Sequence, residues 1–226
     1  YPLGTAIALF FIGLENGPNF AGQGAVYTLA GLSASLVLVH AYQSASARLQ
    51  RYAVAGSALA AVLAFLLAAA LLHRLPLNLP TGLLLTVAVA AFYARRFRRI
   101  ENTRVTNPVP FTRWVLLLRA LAAAAIVLLI TGLAKLIGAN ASGIFSAFPI
   151  TLFPFLLIIH QAYGKEAVHT IIKNYPFGIG ALIAYALSVS LTYPRYGVPF
   201  GTFLAFLAAT GYLLLLAAVT RRGRGQ

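Results

Sequence analysis

Apolar runs of about 20 residues recur along this chain, and a helix of that length crosses a hydrocarbon core. No other feature limits the fold so strongly. In lipid the chain must satisfy every backbone N–H and C=O by itself, which leaves helices or closed barrels as spanning structures. These runs are long, continuous and rich in Ala and Leu, so they specify helices. Composition agrees. Apolar residues make up 61% and charged residues 9%, whereas soluble domains carry about a quarter charged residues. No Asp occurs, and the acidic residues are Glu15, Glu101 and Glu166. The expected class is all-α, a polytopic transmembrane helical bundle.

The punctuation gives about eight helices. Expected helices cover Leu3–Leu14, Gly22–Tyr42, Ala53–Leu72, Thr81–Tyr93, Trp114–Ile137, Gly143–Ala162, Pro176–Tyr193 and Phe200–Thr220. Between them lie breaks at Glu15–Asn19, Gln43–Arg51, His73–Pro80, Gly138–Ser142, Tyr163–Tyr175 and Pro194–Pro199, where Gly, Pro and polar residues gather. Ala94–Arg113 is the most hydrophilic stretch, and Pro108 and Pro110 argue against helix there.

An internal echo sets the organisation. At an offset of 119 positions Gly13 falls on Gly132, Leu14 on Leu133, Gly24 on Gly143, Pro80 on Pro199 and Gly82 on Gly201. A shared offset over that length reads as a tandem duplication. The expected units are a first four-helix repeat (1–97), a basic linker (98–112), a second four-helix repeat (113–220) and a basic tail (221–226). The repeat also places a counterpart of Phe111–Arg119 before Tyr1, so the first unit is expected to lack its beginning.

Charge fixes an expected orientation. The net charge is +14. Most of it sits in the loops after helices two, four and six and in the tail, while the opposite loops hold Arg74, Lys135 and Arg195. By the positive-inside rule the first set is cytoplasmic, with both termini inside. Four helices per unit is an even number, so the units insert in the same orientation, as parallel repeats. The expected location is the cell inner membrane, multi-pass. No basic face is interleaved with stacking aromatics, so the charge points to membrane lipids and not to nucleic acid.

Catalytic chemistry finds little support. The absence of Cys removes thiol nucleophiles and thiolate metal sites. No hydrolase elbow, phosphate loop, paired carboxylates or zincin motif occurs, so the expectation is no enzyme, no cofactor and no metal. The residues open to a role are the few polar groups and helix breakers in or near apolar runs. Glu15 reads as a solvated helix end or as a coupling or substrate carboxylate, since a carboxylate in a membrane is costly. Lys135 reads as a snorkelling side chain or as the partner of Glu15 across the pseudo-twofold. Arg119 reads as snorkelling or as a phosphate ligand in a cleft. His40 and His160 read as interfacial histidines or as proton relays. Pro149 and Pro154 are expected to kink helix six, and kinked helices often line transport sites. Their counterparts in helix two are Ala30 and Ser35, so the kink distinguishes the halves. Gly31 with Ser35 and Gly56 with Ala60 have the spacing that lets helices approach closely.

Gly132, Leu133, Ala134, Lys135, Gly143, Phe148-Pro149, His160 and Gly164-Lys165-Glu166-Ala167 resemble the GlpM-like family of small four-helix bacterial inner-membrane proteins, over Leu118–Leu216. The first half resembles it through the repeat alone, keeping Gly13, Leu14 and Gly24. The resemblance implies a four-helix membrane unit, a link to efficient alginate production without a known mechanism, and no catalytic residues. A fused duplicate is consistent with single units working as dimers. The expected function is a carrier or flippase-like transporter of an envelope lipid or small solute. The alternative is a non-transporting membrane scaffold, with a protein partner or a second copy of the chain as its company.

Overall fold

The computed structural model describes residues 3–101 and 135–222, together with Leu117, Leu121, Leu128 and Gly132. The described residues are helix, turn or bend, without strand. The helices are α1 (Leu3–Asn16), α2 (Pro18–Arg48), α3 (Ala53–His73), α4 (Leu79–Phe97), α5 (residues 135–146), α6 (Leu152–Tyr163) and α7 (Lys165–Arg222). Three of them, α2, α3 and α7, are long and apolar enough to cross a membrane. Most of expected helix five, including Arg119, and most of the 98–112 linker lie outside the described residues.

Helix boundaries follow local chemistry. Gly17 at φ 95 separates α1 from α2, and Pro18 opens α2, where its missing N–H costs nothing. Asn78 caps α4. Its Oδ1 accepts from the Thr81 amide at 3.0 Å, while the Asn78 amide donates to Thr81 Oγ1 at 2.9 Å, a reciprocal capping box. α7 is two helices. Gly197 (φ 77, ψ 174) breaks it, and the two arms fold back on each other. The Tyr193 and Thr202 hydroxyls meet at 2.6 Å, and Tyr212 Oη donates to the Phe177 carbonyl at 3.0 Å. Pro80 and Pro199 each stand second in their helix, in the first turn that tolerates proline.

Three expectations change. The polar stretch Gln43–Arg51 is not all loop, because α2 runs on to Arg48. Tyr163–Tyr175 is not a loop. Gly164 at φ 80 makes the whole turn, and helix resumes at Lys165. The segment after it is amphipathic, with Ala167, Val168 and Ile172 buried, so its charges sit on one face of a helix. Expected helix six is not one kinked helix. Residues 147–151 leave helical geometry, and α5 and α6 are separate pieces.

α2 is the central helix. Leu29, Ala30, Leu32, Ala34, Leu36, Leu38 and Val39 are fully buried. One core joins α2 to α3, α4, α6 and the start of α7. A second joins α1 and the start of α2 to both arms of α7. Leu59, Leu63, Leu67 and Leu71 stand exposed along α3, and Phe203, Leu207, Leu214 and Leu215 along the second arm of α7. Exposed apolar rows of this extent mark a surface made for lipid or a partner.

α2 and α4 run in the same direction, with Thr86 bonded to the Leu29 carbonyl and His40 beside Tyr93 and Phe97. Their ends bring Arg48, Arg51, Arg95, Arg96, Arg98 and Arg99 to one end of the bundle. Arg74 and Arg195, at the α3 end and at the α7 break, fall at the other.

Candidate functional site

Several polar side chains pair across one seam, where α2 lies beside α5 and Tyr42 reaches across to α6. Gln23 Nε2 donates to Asn140 Oδ1 at 3.3 Å, the Thr28 and Ser146 hydroxyls meet at 2.9 Å, and Tyr42 Oη meets His160 Nδ1 at 2.9 Å. The sequence separations are 117, 118 and 118. Both members rise together along the chain, so the two segments run parallel, with the offset slipping to 112 at Ser35 and Ala147. In an antiparallel pair the sum would be constant instead.

Small residues let the backbones touch. A Cβ on Gly143 would fall 2.7 Å from the carbonyl carbon and 2.9 Å from the Cα of Gly24. A Cβ on Gly31 would fall 2.7 Å from the Ile144 carbonyl oxygen and 2.9 Å from Ala147 Cβ. Both lie inside van der Waals contact, so no side chain fits. The expected close approach at Gly31 and Ser35 is therefore present. Gly56 instead faces the Leu49 side chain.

The break at 147–151 lies midway along this seam. Pro149 has no amide hydrogen and disfavours helical geometry at Phe148. The chain answers with tight turns. The Ala147 amide donates to Ile144 O at 3.1 Å, Phe148 N to Phe145 O at 2.9 Å, Ile150 N to Phe148 O at 2.8 Å and Phe153 N to Pro149 O at 2.7 Å. The Ala147 carbonyl loses its helical donor, and Ser35 Oγ on α2 takes that place. The break is thus tied to α2 through a side chain. Beside it lies a cavity of about 200 Å³ lined by Thr5, Phe148, Pro149, Thr151, Tyr175 and Leu182 among others. No charged side chain lines it, so the hydroxyls and the unwound backbone supply its polarity.

Toward the basic end the seam carries histidines. Beyond the Tyr42–His160 pair, Ser46 Oγ meets His169 Nε2 at 2.9 Å and donates to the Gln43 carbonyl at 3.0 Å. Tyr42 and His160 are buried together, edge to face at 5.7 Å. Tyr42→Phe is expected to lower stability by about 1 kcal/mol, the net worth of one buried hydrogen bond. Unfolding in mixed micelles checks this, and an unchanged midpoint would show that the pair contributes nothing.

The residues singled out in the sequence part company here. Pro149 is buried in the break, and Pro154 sits in the first turn of α6, where it interrupts nothing. His160 is a seam residue. His40 faces away from the seam, its ring 5.3 Å from Tyr93 and 6.0 Å from Phe97. Glu15 and Lys135 are both exposed, and no ion pair joins them among the described residues. Thr28, Tyr42, Ser46, Ser146, His169 and Tyr175 were missed. A signal existed for α2: Gly24, Thr28, Gly31, Ser35 and Tyr42 repeat at the spacing of one helix face, all small or hydroxyl-bearing. Compared with known proteins, the chain matches no family model, no curated protein and no solved structure.

Proposed function

We propose that this chain is an inner-membrane carrier of an envelope lipid or small solute, built from two parallel copies of a four-helix unit, with its pathway at the seam between them. The observation that carries the reading is the discontinuous helix. A break midway along a bundle, beside a cavity and held by a polar group from another helix, is the arrangement in which transporters place binding sites. The parallel contacts between α2 and α5 support the duplication. A twofold axis along the membrane normal brings equivalent residues face to face, and Gly24 touches Gly143, its match at an offset of 119. The basic end, taken as cytoplasmic, gives the orientation. The GlpM-like resemblance of the second half fits such a unit but names no substrate.

Alternating access would require the seam to open and close. The chain has no Cys, so a pair can be introduced without background. Thr28→Cys with Ser146→Cys places two thiols where two hydroxyls now meet at 2.9 Å. In proteoliposomes, oxidation is expected to stop movement of headgroup-labelled lipid and of small polar solutes, and reduction to restore it. Movement that continues at full rate through the cross-linked seam sinks the reading. A second reading, a non-transporting scaffold, is favoured by the glycine contacts at Gly24–Gly143 and Gly31, which leave no passage through the seam as it stands. A stable stoichiometric partner on purification, with no movement of either cargo, would support it.

A further inference from the structure

We infer that the end of the bundle where α2 and α4 finish is a binding site for a phosphate group whose negative charge its own headgroup does not cancel, with His40, Arg48 and Arg96 as its central contacts. The inference stands whether or not the chain is a carrier. His40 lies on the α2 face that meets α4, and its ring is packed against Tyr93 and Phe97. It makes no hydrogen bond to any described residue, and its Nδ1 is buried without a partner. An unpartnered polar nitrogen in a packed site is costly, unlike His160 and His169, which both have hydroxyl partners. Arg48 ends α2 about two turns beyond His40, so it belongs to the same end of the bundle as the His40 ring. Arg96 follows Tyr93 by one turn of α4, so the guanidinium and the imidazole share one corner of the bundle.

The surrounding charge is mostly positive. Arg48, Arg51, Arg95, Arg96, Arg98 and Arg99 are all exposed at this end, and the carboxylates there are Glu101 after α4 and Glu166 at the start of α7, beside His160 and His169. None of the six is joined to a carboxylate by an ion pair among the described residues. Six unpaired guanidiniums repel one another unless an anion comes between them. A guanidinium fork matches phosphate oxygens in geometry as well as charge. Basic corners between helices at a membrane surface are where anionic headgroups are held. The same chemistry would also take a soluble phosphate.

The full-length chain in mixed micelles separates these sources. Native mass spectrometry with phosphatidylglycerol and phosphatidylcholine reads the lipid arm, and the melting temperature with added inorganic phosphate reads the soluble arm. Selective retention of phosphatidylglycerol assigns a lipid, and a phosphate-dependent rise in melting temperature without lipid preference assigns a soluble anion. Each arginine removed, as Arg48→Gln or Arg96→Gln, is expected to weaken binding about fivefold. Arg96→Lys, which keeps the charge, should keep most of it and serves as the check on folding. His40→Phe keeps the stacking and should also weaken binding. Arg74→Gln at the opposite end should leave it unchanged. Equal retention of both lipids together with no phosphate effect overturns the inference. So does an Arg74→Gln loss as large as that of Arg96→Gln.

Discussion

Gly143→Ala is expected to destabilise the protein by about 2–4 kcal/mol, the range for overpacking at a site that cannot yield. The added methyl would meet the Gly24 backbone, with the carbonyl carbon at 2.7 Å and the Cα at 2.9 Å. A side-chain neighbour could rotate away, but a helix backbone cannot. Relief would come only by moving α5 off α2, and that movement also stretches the Thr28–Ser146 and Gln23–Asn140 bonds on either side of the contact. Gly132→Ala is the matched control. No atom of a described residue lies within 4 Å of where its Cβ would go, and Ala is the better helix former. The two variants, compared by unfolding in mixed micelles, should differ by most of the Gly143 effect. Equal midpoints would mean that the two helices are not in backbone contact.

Ser35→Ala is expected to cost about 1–3 kcal/mol, the penalty of a buried carbonyl left without a donor. The Ser35 hydroxyl is the donor to Ala147 O. Because Pro149 ends α5 and sets the turns around that carbonyl, the effect should depend on it. In a Pro149→Ala background the chain can wind further through the break and supply its own donor, so Ser35→Ala should cost less there. A double-mutant cycle measures the difference. Independent, additive costs would show that Ser35 does not hold the break. Under the carrier reading, both Ser35→Ala and Pro149→Ala should also slow cargo movement, since each changes the shape of the cavity at residues 147–151.

The fold was legible where hydrophobicity and punctuation speak directly. Apolar runs of membrane length gave the helical class, and Gly17, Gly138, Gly164 and Gly197 stand at positive φ at or next to expected breaks. Loops were overdrawn where a polar run was really one face of a helix. Lys165–Tyr175 is the clear case, because a single residue, Gly164, was enough to turn the chain. The consequence of Pro149 was underdrawn. A proline in a helix can bend it or end it, and the choice depends on whether a neighbour supplies the donor that the break leaves missing. Here Ser35, 112 positions away, supplies it.

The candidate site was less legible for the same reason. Glu15 and Lys135 drew attention because charge in an apolar chain is rare, yet both are exposed. His40 and His160 look alike in sequence, but one packs against α4 without a hydrogen-bond partner and the other bonds to Tyr42 across the seam. Nothing in the spacing of the histidines separates these cases. Their difference comes from which helix faces each ring.

By itself the sequence determined the helical class, the membrane-length runs, the one-sided distribution of arginine and the stripe of small residues on α2, because these depend on composition and period along a single segment. Tertiary structure alone decided that α2 pairs in parallel with α5, that Gly24 meets Gly143, and that residues 147–151 open midway along that seam. Those features depend on contacts between residues more than a hundred positions apart. Lipid offers apolar helices no hydrophobic preference for one neighbour over another, so fit at the glycines and a few hydrogen bonds select the pairing.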